Sequence, residues 1–133
     1  MSEDRYSDMT NDQLAHAFLK ISIDEADALG RSKMRVVNKL VKHLQAVEAV
    51  LRTRGPEARK VLVPLLTYQP GSLRLFADQI AQVRLNAAKE LLAVVPDQAR
   101  ATLEDLAARG PSFQSGSAGM CLQLLDDGVF KPT

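Results

Sequence analysis

The chain has 133 residues, with 17 Lys and Arg against 16 Asp and Glu, and a formal net charge of +1. Hydrophobic residues make up 46% and aromatics 5%, with no Trp and one Cys. These figures describe one ordinary globular domain. They exclude a disordered or collagen-like chain, a disulfide framework, a cysteine-rich zinc site and a generally basic nucleic-acid binder.

Residues 1–9 read as a disordered polar lead, too acidic for a secretory signal. No apolar run approaches the roughly 18 residues that span a bilayer. The expected setting is cytoplasmic, without membrane contact, and the lone thiol of Cys121 is compatible with it.

Helical spacing runs through residues 10–128, which read as a single α-helical domain. Thr10-Asn11-Asp12-Gln13 has the form of a capping box, so a first helix is expected over about 10–29. Ser22-Ile23-Asp24-Glu25 has the same form and could break or restart that helix, although continuity is favoured. After Gly30 and Ser32 a long helix runs to about Arg54, with Met34, Val37, Leu40, Val41, Leu44, Val47, Val50 and Leu51 as its apolar stripe. Gly55 suits the position after its end, and Pro56 can open the next helix, which Pro64 should kink or restart.

Gln69-Pro70-Gly71-Ser72 reads as a turn, and Leu73–Ala77 as a short helical piece. Asp78 is then the expected cap of a helix reaching about Val95, ended by Pro96. Asp97 caps a helix through about Arg109, stopped by Gly110-Pro111. A last helix over about 117–126 carries Met120, Cys121, Leu124 and Leu125 inward, and 129–133 is a flexible C-terminal tail. The connections are short, so consecutive helices should lie antiparallel.

Asp78, Val83, Arg84, Ala87 and Ala88 have the spacing of a second-helix signature, and the segment resembles HEAT-type repeats. The resemblance implies a HEAT/armadillo-like, right-handed stack of antiparallel helical hairpins, about five to seven helices in all. In such repeats the matching Asp and Arg link neighbouring repeats, which gives Asp78 and Arg84 structural cap and repeat roles. Gln79 stands where the repeat usually has Pro, and the signature is clear only once, so a short irregular array is expected.

Further pieces occur in order: Asn38-Lys39-Leu40, Ala46-Val47-Glu48, Arg54-Gly55, Gln82-Val83-Arg84-Leu85, and Ala118-Gly119-Met120-Cys121-Leu122. Over roughly residues 10–126 they resemble a small uncharacterised bacterial family of unknown function with this kind of repeat. These are packing and cap motifs, so the resemblance implies a fold and no activity.

The near-neutral total hides a strong division. Residues 1–30 are net −5, residues 31–60 net +7, and the remainder net −1. Arg35, Lys39 and Lys42 share one side of the second long helix at i, i+4, i+7 spacing. The simplest expectation is that Asp24, Glu25 and Asp27 neutralise Arg31, Lys33 and Arg35 across the turn. The alternatives are an acidic protein partner, or nucleic acid, for which no interleaved aromatics and no Gly-rich loop are present.

Other constellations are incomplete. Glu104-Asp105 and Asp126-Asp127 point about 100° apart on a helix and do not form acid/base pairs. His16 and His43 have no third metal ligand at a recognised spacing. Cys121 with His43 could form a nucleophile pair, but Cys121 lies among apolar residues and reads as an inert buried thiol. Gly116-Ser117-Ala118-Gly119 lacks the Gly-Lys-Ser/Thr ending of a phosphate loop.

The expectation is therefore a protein-interaction module and not an enzyme. No cofactor or metal is expected, and Arg35, Lys39, Lys42 and Arg84 are the partner-contacting candidates. A homo-oligomer is compatible with this reading.

Overall fold

The computed structural model describes residues 2–71 and 75–133, with side chains from Arg5 onward. The fold is all-α. Among the described residues there are α1 (Ser2–Ser7), α2 (Asn11–Gly30), α3 (Met34–Arg54), α4 (Pro56–Arg59), a 3-10 segment (Lys60–Thr67), α5 (Ala77–Leu91), α6 (Pro96–Arg109) and α7 (Ser112–Asp126), with no strand. α5 lies at the centre, packed by α2, the 3-10 segment, α6 and α7, while α2 also packs on α3 and α6 on α7.

Local chemistry sets most boundaries. Thr10 and Gln13 close the capping box of α2, with the Thr10 N–H donating to Gln13 Oε1 at 2.9 Å and the Gln13 N–H donating to Thr10 Oγ1 at 3.1 Å. The helix passes through Ser22 unbroken, because that side chain is fully buried and its Oγ accepts from Asn86 of α5. At the far end the N–H groups of Ser32 and Lys33 donate to the carbonyls of Leu29 and Ala28. This closes a Schellman-type turn, with Ser32 itself in the left-handed region at φ 57°.

α3 ends at Gly55 (φ 104°), and Pro56 opens α4 as expected. The following chain tightens into the 3-10 segment, which carries Pro64 inside it, in place of a kinked α-helix.

Several expectations are corrected. The lead over residues 1–9 includes helix α1, whose Tyr6 is 2% exposed and seats α1 on α3. Asp78 is the second residue of α5, not its cap; Phe76 holds the cap position, its N–H donating to Gln79 Oε1. Leu73 and Arg74 of the expected short helical piece lie outside the described residues, and Ala77 belongs to α5. Pro96 is the first residue of α6 and Val95 its cap, in place of Asp97. α7 starts at Ser112, because Gln114 is buried against α5 and holds the first turn in place despite Gly116 and Gly119.

Met34, Met120 and Leu124, expected to face inward, are exposed. The stretch 129–133 does not hang free: Phe130 packs against the core, and Arg59 Nη1 donates to the Thr133 carbonyl oxygen at 2.9 Å.

The core is aliphatic and alanine-rich. Val83, Ala87 and Ala88 of α5 are completely buried, and small side chains there let neighbouring helices approach closely. Leu14, Phe18, Val47, Leu51, Leu62, Leu91 and Leu103 fill the space around them.

Candidate functional site

The acidic part of α2 does not cover the basic part of α3. Asp27 pairs with Arg31 at 3.3 Å, and Asp24 pairs within its own helix with Lys20 at 3.3 Å. Glu25 turns into the core, where its carboxylate accepts from Asn86 Nδ2 at 2.9 Å; burial pushes its pKa up, against the lowering effects of that bond and of Lys89.

Lys33, Arg35, Lys39 and Lys42 are consequently exposed, and none makes an ion pair among the described residues. The first turn of α3 adds to that field. Its cap residue, Lys33, supplies no side-chain acceptor, and the turn contains no acidic residue. Free backbone N–H groups and the positive end of the helix dipole therefore coincide with Lys33 and Arg35. Residues 31–36 are all exposed, Met34 at 54% and Val36 at 44% among them, so this corner carries apolar area beside its charge.

Arg84 belongs to a different surface. Its Nε and Nη2 donate to the Tyr68 carbonyl at 3.0 and 2.8 Å, tying α5 to the chain that leaves the 3-10 segment. Asp78 accepts from the backbone N–H of Gln79 at 3.0 Å and, among the described residues, makes no hydrogen bond or ion pair with Arg84. Arg84 lines a groove of about 630 Å³ between the 3-10 segment and α6, which adjoins a smaller lobe of about 250 Å³.

The most elaborate polar arrangement is one that periodicity alone did not single out. Gln82, Asn86 and Glu90 recur at i, i+4, i+8 on α5 and all are buried. Gln114 Nε2 donates to Gln82 Oε1, Gln82 Nε2 to Asn86 Oδ1, and Asn86 Nδ2 to Ser22 Oγ, each at 3.0 Å. This ladder joins α7, α5 and α2. One turn further along α5, Glu90 accepts from Arg52 Nη2 at 2.6 Å and Nε at 2.9 Å, and lies 3.2 Å from Arg59.

Beside it, half-buried Glu48 is pushed up to about 8 by burial, by the charge of Glu90 and by a hydrogen bond to Glu90, against the lowering effect of Arg52. The sequence signal was present: three polar residues at helical spacing within a run of Ala, Val and Leu.

The remaining candidates stay apart. His43 Nδ1 lies 3.0 Å from Tyr6 Oη, which also accepts from Arg5. His16 is exposed on α2. Burial pushes the Cys121 thiol up, and Lys89 opposes it. Glu104 pairs with Arg100, Asp105 with Arg109, and Asp126 with Arg100. Among the described residues no group of three or more His, Cys, Asp or Glu could hold a metal ion, and no helix is long and apolar enough to cross a membrane.

Residues 12–126 match the family described as Domain of unknown function (DUF2019). The crystal structure of the protein RPA1889 from Rhodopseudomonas palustris CGA009 is similar at 36% identity and a TM-score of 0.82, over 96% of this chain and 97% of that one. No curated protein matches the chain.

Proposed function

The chain belongs to the DUF2019 family, a domain of unknown function, and we propose that it is a non-catalytic interaction module whose α3 surface binds an acidic protein partner. The observation that carries this reading is the run of exposed, unpaired cations Lys33, Arg35, Lys39 and Lys42 at and beyond an uncapped helix N-terminus. Basic residues at a helix N-terminus oppose the dipole. An acidic partner would relieve that repulsion.

Exposed Met34 and Val36 supply apolar contact beside the charge, the mixture that protein interfaces favour over charge alone. Nucleic acid is disfavoured because no aromatic side chain stands among these cations for base stacking. A short HEAT-like stack in a bacterial cytoplasm is the setting this reading assumes, and helices packed in succession are compatible with it.

The test is affinity capture from the native host with the wild-type chain and with an Arg35→Glu/Lys39→Glu/Lys42→Glu variant. One acidic protein should be enriched by the wild type and lost from the variant, with the circular-dichroism spectrum unchanged. Equal capture by both removes α3 from the interface. A mobility shift that fades steeply with salt assigns the surface to nucleic acid instead.

A further inference from the structure

The groove beside Arg84 has the makings of a small-molecule site. Its 630 Å³ lies within the range of about 300–1,000 Å³ typical of such sites. Val63, Pro64, Leu66 and Ala101 give it apolar walls, and the amides of Gln69 and Gln98 border them. Arg84 and Asp105 are its charged lining residues. Asp105 is already paired with Arg109, so the charge still available to a ligand is positive.

Arg84 is also held in place before any ligand arrives. Two of its guanidinium nitrogens are fixed on the Tyr68 carbonyl, and the third, Nη1, has no partner among the described residues. A guanidinium anchored in this way gives up little rotamer freedom on binding, and it offers a charge-assisted bond to an oxyanion. Arg84 lines both the large lobe and the 250 Å³ lobe, so an anion bound there would sit where the two meet.

We propose that this groove binds a small amphipathic carboxylate, with the carboxylate on Arg84 Nη1 and the apolar body between the 3-10 segment and α6. A cation is disfavoured by Arg84, and a polyanion by the single available guanidinium and the apolar walls. The site is separate from the α3 surface, none of whose residues lines either lobe.

The experiment titrates 3-phenylpropionate, octanoate and the neutral 3-phenylpropionamide into the labelled protein, followed by two-dimensional NMR of backbone, Arg Nε–H and Gln side-chain amide signals. The acids should shift Arg84, Gln69, Gln98 and Thr102 and saturate with a Kd of about 1 mM or tighter. The amide should bind at least about tenfold more weakly.

Arg84→Gln should abolish the difference between acid and amide, but it also removes the anchor on Tyr68. Ala101→Phe is therefore the second variant: Ala101 is an exposed lining residue on α6, so a ring there occupies the groove from its open side. It should weaken both acids at least about tenfold with an unchanged melting temperature. No saturable shift by either acid up to about 10 mM overturns the proposal. So does equal binding of acid and amide, or unaltered binding by Ala101→Phe.

Discussion

Arg59 Nη2 donates to the main-chain carbonyl of Glu90 at 2.7 Å and stands 3.2 Å from the Glu90 carboxylate. These two contacts join α4 to the middle of the molecule through two side chains that are both buried. Arg52 reaches the same carboxylate from α3 but is half-exposed, so Glu90 is the residue on which α3, α4 and α5 converge. Glu90→Ala should therefore cost about 3–5 kcal/mol, because Arg59 keeps its two carbonyl acceptors but loses the carboxylate that balances its buried charge. Arg52→Ala should cost much less, since Glu90 keeps Arg59. Urea unfolding followed by circular dichroism measures both. Equal losses would show that Arg59 is not the partner that matters.

Ser32 lies in the left-handed region at the turn between α2 and α3, where a side chain is strained and glycine is not. Two residues earlier Gly30 occupies the last turn of α2, where nothing requires it: an added Cβ would meet only Asp78 Oδ2 at 3.8 Å, an ordinary contact. The one position that favours glycine thus lies two residues beyond the glycine itself. Ser32→Gly should stabilise by about 0.5–1 kcal/mol, and Gly30→Ala by a similar amount through helix propensity. A fall in melting temperature for Ser32→Gly would contradict the turn geometry.

Thr10 and Asp78 show how far the chain could be read before its fold was known. The capping box at Thr10 is wholly local, with four consecutive residues that satisfy one another, and the sequence pattern is sufficient. Asp78 has an equally good local pattern, but α5 begins earlier because Gln79 caps the Phe76 N–H. Periodicity found the apolar stripe of α3 for the same reason, since burial repeats with the helix.

What pattern could not supply is partnership across elements. The exposure of Met34, the seating of Tyr6 on α3 and the Gln114–Gln82–Asn86–Ser22 ladder depend on which helices meet. So did the basic surface: only the packing shows that Glu25 turns inward to Asn86 and leaves Lys33, Arg35, Lys39 and Lys42 uncovered.

The same distinction predicts two unequal cap mutants. Thr10→Ala removes the acceptor for the Gln13 N–H and should cost about 0.5–2 kcal/mol. Asp78→Ala loses a carboxylate in the first turn of α5 and its bond to the Gln79 N–H, which should cost about 0.3–1 kcal/mol and shrink as salt is raised. Melting temperatures at low and high ionic strength separate the two. A salt-insensitive Asp78→Ala larger than Thr10→Ala would restore Asp78 as the cap.

Glu48 makes the stability of the fold depend on pH. Its carboxyl is pushed up to about 8, first by burial and then by the charge of Glu90, so at neutral pH it carries a proton and is hydrogen-bonded to Glu90. Unfolding returns it to the ordinary value of 4.5. Between those values the folded chain binds the extra proton, so stability is fully present below about pH 4.5 and is lost as pH rises towards 8. Glu25, also raised by burial, adds a contribution of the same sign.

Glu48→Gln can still donate a hydrogen bond to Glu90 and has no proton to lose. The wild-type urea midpoint should fall from pH 6 to pH 9, while the variant falls less. At the alkaline end the variant should be the more stable by on the order of 1 kcal/mol or more, one pK unit being worth about 1.4 kcal/mol. Retention of the full wild-type slope by Glu48→Gln would transfer the effect to another group, with Glu25→Gln the next to measure.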